Sequence, residues 1–188
     1  MKILVLGGNG FIGSYIVDRL VAANHELVVY GRSIDATIKN HAVCYIQGDF
    51  SDSVKLSEAI AGSDVIVHAI SSTVPSTSNL DPIADIQQNL VSTVRLLQLM
   101  AQSDDVKRLI YLSSGGTVYG KPSQLPVPET HALNPICSYG VVKVAVENYI
   151  WMFHELYGIQ PIIIRASNPY GLRPVSYTHL TLPTSDLV

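Results

Sequence analysis

The chain has 188 residues, a formal net charge of −3, 47% hydrophobic residues and 14% charged ones. That length is enough for one domain with a sizeable core, and the weak negative charge argues against a nucleic-acid or anionic-membrane partner. Two cysteines, Cys44 and Cys137, stand far apart at no metal-ligand spacing, so neither a disulfide framework nor a metal site is expected, and a reduced, cytoplasmic protein is.

MKILVLGG is a short apolar run closed by glycines, which predicts a strand over about 2–6 rather than a secretion signal. FIGSYIVDRLVAAN carries apolar residues at helical spacing. ELVVY (26–30) reads as a second strand and AVCYIQ (42–47) as a third. SVKLSEAIAG predicts a short helix ending at Gly62, and DVIVHAI (64–70) a fourth strand. PIADIQQNLVSTVRLLQLMAQS predicts a long amphipathic helix with Ile86, Leu90, Val94 and Leu97 on one face. KRLIYLSS (107–114) is the fifth strand. KPSQLPVPETHALNP is too rich in proline for a helix or a central strand. SYGVVKVAVENYIWMFHELYG predicts a helix closed by Gly158, with Trp151 and Phe153 on its packing face, and IQPIIIRAS (159–167) a sixth strand. No apolar run approaches the ~20 residues that span a bilayer.

This alternation is the signature of βαβ units and a parallel α/β sheet of the doubly wound, Rossmann type, with strand order 3-2-1-4-5-6. Ligands of such sheets bind at the C-terminal strand ends, at the switch point between strands 1 and 4. The informative residues fall there: Gly7–Gly13, Gly31–Arg32, Gly48–Asp49, His68–Ser72, Ser113–Thr117 and Arg165–Asn168.

Gly7, Gly10 and Gly13 form GxxGxxG between the first strand and the first helix. The first glycine permits a tight turn, the second lets a pyrophosphate approach the backbone, and the third lets helix pack on strand. Phe11 and Ile12 open the helix, whose free N–H groups and partial positive charge suit phosphates. A glycine turn without ligand is the bland alternative, disfavoured by its place after the first strand of a βαβ chain. The second strand lacks the acid that NAD binders offer to the adenosine ribose; Tyr30, Gly31, Arg32 and Ser33 stand there instead. Arg32 is suited to a 2′-phosphate, which points to NADP, and equally to stacking on adenine with NAD bound. Asp49 is suited to the adenine amino group or to a plain turn, with Phe50 beside it and Ala69 at the end of the fourth strand.

Tyr139 and Lys143 stand four apart on one predicted helix and share a face. Tyrosine, with an ordinary pKa of about 10, is a poor base at neutral pH. A nearby ammonium and the positive charge of a nicotinamide favour the phenolate, which then takes a proton from a hydroxyl as hydride leaves. Lys143 would also hold the nicotinamide ribose.

GGNGFIG, the GD after the third strand, SSGGTVYG, SYGVVK and RASNPYG occur in order, and with them the chain resembles the extended short-chain dehydrogenases/reductases. Among these it is similar to the NAD-dependent nucleotide-sugar epimerases and dehydratases, above all to UDP-glucose 4-epimerase-like members. The resemblance runs from Met1 to about Pro174. It implies transient oxidation at C4 of a UDP-hexose, NAD as cofactor, a nucleotide-sugar substrate and a homodimer through the two long helices. Tyr139 and Lys143 match the family's catalytic pair, Asn168 an asparagine on the nucleotide sugar, and Asn89 a cofactor-proximal asparagine. The family's usual catalytic Ser or Thr falls, counted back from VYG, on Gly115, so Ser114 or Thr117 is expected to supply the hydroxyl, with Thr117 also near the substrate. Dehydratases place an acidic pair beside that hydroxyl, and Gly115, Gly116 and Thr117 carry none, which favours epimerisation over water elimination. A reductase of the same family and a non-catalytic dinucleotide sensor are the other readings.

His68 is expected to pack rather than act as a base, Cys137 to be structural, and Glu129 and His131 to lie on the surface. VSYTHLTLPTSDLV, from Val175, resembles the conceptual translation of a transposase mosaic-end sequencing adapter. Residues 1–174 are therefore expected to form an NAD(P)-binding Rossmann domain cut before a substrate domain, and residues 175–188 a non-native tail. Apolar surface left bare by that cut would lower solubility.

Overall fold

Strand and helix alternate through residues 1–33 and 42–171, the part of the chain that the computed structural model describes. The elements are β1 (Lys2–Leu6), α1 (Phe11–Ala22), β2 (Glu26–Gly31), β3 (Val43–Gln47), α2 (Ser53–Ile60) and β4 (Val65–His68). There follow α3 (Pro82–Asp85), a π-helical segment (Ile86–Val91), α4 (Ser92–Gln102), β5 (Arg108–Ser114), α5 (Ser138–Tyr157) and β6 (Gln160–Ala166). The tail expected over Val175–Val188 lies outside the described residues.

All six strands are parallel, in the order β3-β2-β1-β4-β5-β6 that the sequence implies. Leu6 lies beside Tyr30 on β2 and His68 on β4. The C-terminal ends of β1, β2 and β4 are thus level, and the chain leaves β1 and β4 at the switch point. Side chains alternate across the sheet. Leu4, Leu6, Val28 and Ile66 face a core closed by Leu56 and Ile60 of α2, Leu97 and Met100 of α4, and Ile150 and Phe153 of α5. Ile3, Val5, Leu27 and Val67 face a smaller core that Val17 of α1 closes. Past α1 no described helix covers that second face, and Ile162 and Ile164 of β6 are exposed.

Two expectations about helix faces need correction. The buried positions along α3, the π segment and α4 are Asp85, Asn89, Ser92, Thr93, Leu96, Leu97 and Met100. Leu97 is buried and Leu90 packs partly on the core, but Ile86 is exposed. The π segment adds a residue to its turn, so the helix phase advances and polar rather than apolar side chains point inward upstream of it. On α5 the buried positions run Val142, Lys143, Val146, Glu147, Ile150 and Phe153. Trp151, about 100° around from Ile150, is half exposed.

Candidate functional site

Gly7 holds φ +79°, and a Cβ there would press on the Ala69–Ile70 peptide at 3.1 Å. A Cβ on Gly13 would stand 2.1 Å from the Gly7 carbonyl oxygen, so α1 sits on the turn only because that side chain is absent. The Asn9 amide donates to the Ser33 carbonyl and ties the turn to the end of β2. Asp52 caps α2 and Asp81 caps α3, but α1 starts from Gly10, and among the described residues no side chain caps it. Its first-turn N–H groups and partial positive charge are left for a ligand, and an anion fits there.

From this turn a cleft of about 920 Å³ runs past Gly31, Arg32, Ser33, Gly48, Asp49, Phe50 and Ser51 to Ala69 and Ser72. Gln87, Gln88, Val91, Ser92 and Arg95 form its other wall. Of the sequence-derived cofactor residues, Gly7, Gly10, Arg32, Asp49, Phe50 and Ala69 line this cleft. Phe11, Ile12 and Gly13 flank it at the start of α1, and the Phe11 side chain is buried against Tyr15. The Asp49 carboxylate accepts from the Ser51 hydroxyl and N–H at 2.6 and 2.9 Å. Those bonds hold its pKa below the usual carboxylate range against burial, and Arg32 adds to the effect. The Asp49 carbonyl accepts from the Tyr30 hydroxyl at 2.8 Å. Burial, with Asp52 and Asp49 nearby, pushes that phenol up to about 12.

Tyr139 and Lys143 occupy the first turns of α5, over the end of β5. Lys143 is buried; its Nζ donates to the Leu112 carbonyl at 2.8 Å and stands 4.8 Å from the Tyr111 ring centroid and 5.4 Å from that of Tyr139. Desolvation pulls its pKa down to about 8, opposed by the charges of Asp85 and Glu147. The Thr117 hydroxyl donates to the Ser114 hydroxyl at 2.9 Å, so the two candidate hydroxyls form one pair. Gly115 between them is fixed by β6: its N–H donates to the Ala166 carbonyl at 2.7 Å, and a Cβ would stand 2.7 Å from the Arg165 carbonyl oxygen. Asn168 is exposed past β6, its Oδ1 3.8 Å from where a Cβ on Gly116 would be.

The sequence reading missed a buried network beneath this site. Asp85 Oδ1 accepts from the Thr73 hydroxyl at 2.7 Å and the Asn89 amide at 2.9 Å, and Oδ2 from the Ser138 hydroxyl at 2.7 Å. Asn89 Oδ1 in turn accepts from the Ser72 N–H and hydroxyl at 2.9 and 3.0 Å. Asn89 therefore meets the cleft through Ser72 rather than lining it. The N-terminus of α5 is capped from a distance, since Cys137 offers no side-chain bond. Asn79 Oδ1 accepts from the Ser138 N–H at 2.8 Å and the Ser78 hydroxyl from the Tyr139 N–H at 3.1 Å. Behind Lys143, Glu147 pairs with Arg165 at 2.7 Å and accepts from the Ser113 hydroxyl. Arg165 also reaches the Tyr119 hydroxyl at 3.0 Å and the Glu129 carbonyl at 3.3 Å. The spacings Asp85–Asn89 and Lys143–Glu147, four residues each, were the available signal.

His68 packs as expected. Its ring lies 4.9 Å from Phe50 and 5.3 Å from Tyr111, and Nε2 is 3.0 Å from the Thr93 hydroxyl. Burial, with the Lys143 charge nearby, pushes its pKa down to about 3. Among the described residues no group of three or more His, Cys, Asp and Glu is placed to hold a metal, and no helix is long and apolar enough to cross a membrane.

The profile of the NAD dependent epimerase/dehydratase family matches residues 3–183. A UDP-glucose 4-epimerase of Mycolicibacterium smegmatis is 35% identical over 185 residues, covering 92% of this chain and 58% of that protein. One of Streptococcus mutans is 31% identical over 183 residues, covering 93% and 54%. In structure the chain is similar to the Thermus thermophilus UDP-glucose 4-epimerase solved in complex with NAD, with a TM-score of 0.88 and 28% identity over 95% of this chain and 59% of that one. The chain thus spans between half and three-fifths of the length of these relatives.

Proposed function

The chain belongs to the NAD dependent epimerase/dehydratase family, and on that premise we propose that it is the cofactor-binding part, residues 1–174, of a nucleotide-sugar epimerase that inverts C4 of a UDP-hexose. The observation that carries this reading is Lys143, buried against the Tyr139 ring on the strand-end side that also bears the uncapped α1 turn. A dinucleotide fits the cleft: phosphates suit the N–H groups of α1, and the adenosine end suits Arg32, Asp49 and Phe50. Bound there, NAD would supply a hydride acceptor that becomes the donor on the return step.

The chain's own groups do the rest. Lys143, as an ammonium, favours negative charge on the Tyr139 oxygen and would hold the ribose hydroxyls of a bound dinucleotide. Tyr139 takes the proton of the sugar hydroxyl and gives it back. The Ser114–Thr117 pair would supply the hydroxyl that Gly115 lacks, and Asn168, near Gly116, would meet the sugar. Segment 114–117 holds no carboxylate, which supports epimerisation over water elimination. NAD is the cofactor of this reading; Arg32 with Ser33 at the end of β2 favours NADP as the second candidate. The apolar side chains of α5, among them Tyr149, Met152 and Leu156, support a homodimer through this helix.

The test is Tyr139→Phe. It is expected to leave NAD affinity within about threefold and to lower UDP-galactose epimerisation by 10²-fold or more, read by calorimetry and a coupled assay for UDP-glucose in the longer protein. Unchanged turnover in Tyr139→Phe rejects the assignment. Titrations with NAD and NADP settle the cofactor, and a strong NAD preference removes the argument from Arg32.

A further inference from the structure

Tyr30, the penultimate residue of β2, is a fully buried phenol that shares a core with Leu6, Phe50 and Leu56. Its hydroxyl reaches past the end of β3 and donates to the Asp49 carbonyl at 2.8 Å. That carbonyl also accepts from the Asp52 N–H at 2.9 Å, so the phenol pins the turn that leads from β3 through Asp49 into α2. Burial pushes its pKa up to about 12, which keeps it a donor throughout the neutral range. Gly48 is shaped by the same hydroxyl. Its φ lies outside the left-handed region, so its backbone does not require a glycine. A Cβ there would run into the Tyr30 hydroxyl and stand 2.6 Å from Cζ. The residue before Asp49 lacks a side chain because Tyr30 fills that space.

The backbone of Tyr30 acts on the opposite side, where its carbonyl accepts from the Gly7 N–H at 2.8 Å. One residue thus ties the glycine turn before α1 to the turn that carries Asp49, and Gly7, Gly48, Asp49 and Ser51 all line the same cleft. At the Asp49 side chain, Oδ1 is held by the N–H and hydroxyl of Ser51. A carboxylate accepts hydrogen bonds and donates none. One fixed in this way suits a purine with a 6-amino group and opposes one with a 6-oxo group.

We propose that Tyr30 is the positioning residue for purine selection: its hydroxyl, acting through the Asp49 backbone, holds the Asp49 carboxylate where it accepts from the 6-amino group of adenine and rejects a 6-oxopurine. The proposal rests on the dinucleotide binding proposed above.

The test compares NAD with nicotinamide hypoxanthine dinucleotide, which carries a 6-oxo group in place of the 6-amino group, by calorimetry on this chain. The wild type is expected to prefer NAD by about tenfold or more. Tyr30→Phe removes the hydroxyl, keeps the ring, and is expected to bring that ratio below about threefold. Asp49→Asn keeps the Tyr30 bond, which goes to the backbone, and is expected to lose the preference as well. The double variant is expected to match Asp49→Asn, because the two residues act in series. A phenol that only stabilises the fold would weaken both dinucleotides equally in Tyr30→Phe. An unchanged ratio there overturns the proposal, and so do additive losses in the double variant. If Tyr30→Phe does not fold, Gly48→Ala decides, since its Cβ displaces the hydroxyl: a lost preference supports the proposal, and a wild-type preference overturns it. A wild type that binds NAD no better than the hypoxanthine analogue overturns this proposal and leaves the function above standing. A wild type that binds neither dinucleotide rejects both.

Discussion

His68 shows how a buried side chain sets a stability limit without touching chemistry. The folded pKa is about 3 and the ordinary value 6.5. The unfolded chain therefore takes up the proton first as pH falls, so stability is complete above about 6.5 and declines toward 3. Denaturant unfolding between pH 7 and 4 is expected to show up to about 1.4 kcal/mol of loss per pH unit from this group. His68→Leu is expected to lack that component, and an identical acid slope in the variant would count against it. Lys143 has the opposite pH range: its pKa is lowered from 10.5 to about 8, so the cost of burying its charge is relieved as pH rises through that window. Gly115 is a third case. Gly115→Ser puts a hydroxyl where the resemblance implies one, yet its Cβ would meet the Arg165 carbonyl oxygen at 2.7 Å. A loss of about 1–3 kcal/mol in a urea titration is expected. The hydroxyl pair Ser114–Thr117 was legible as two separate candidates, but the steric reason for the glycine was not, because it lies on β6, 50 residues away at Arg165.

At the scale of elements, order and type were readable from periodicity and glycine punctuation, as for β1 before its glycine turn and for α5 ending at Gly158 with φ +71°. Ile86 and Trp151 were misplaced for different reasons. The π segment shifts phase without any mark in apolar spacing, since the residues it turns inward, Asp85 and Asn89, are polar. Trp151 and Phe153 stand about 200° apart on the helix and cannot share one face; Phe153 is buried with Ile150, and Trp151 is not. The capping of α5 was also illegible, because Cys137 carries no capping oxygen and the acceptors come from Ser78 and Asn79. Asn79→Ala is expected to cost about 1 kcal/mol of stability, as a lost N-cap does. The same variant should raise amide exchange at Ser138, read by NMR; unchanged exchange there would show that the cap is dispensable.

At the scale of the molecule, the sheet is covered unevenly. Ile162 is 59% exposed and Ile164 43%, on a face that α1 does not reach, and Leu156 of α5 is 64% exposed. Such an apolar surface predicts concentration-dependent association at micromolar levels, visible in sedimentation velocity. Ile162→Lys with Ile164→Lys is expected to shift the chain toward monomer if β6 contributes, and Leu156→Lys if α5 does. The order of the strands has a further consequence, for synthesis. β1 lies in the interior of the sheet, yet of its two neighbours only β2 follows closely in the chain; β4 begins at Val65. A ribosome that has released β1 to β3 has therefore made a half-sheet whose Ile3–Leu6 edge stays open until Val65–His68 emerges. During that interval the nascent chain presents one strand-hungry flank, the point at which a chaperone has most to protect.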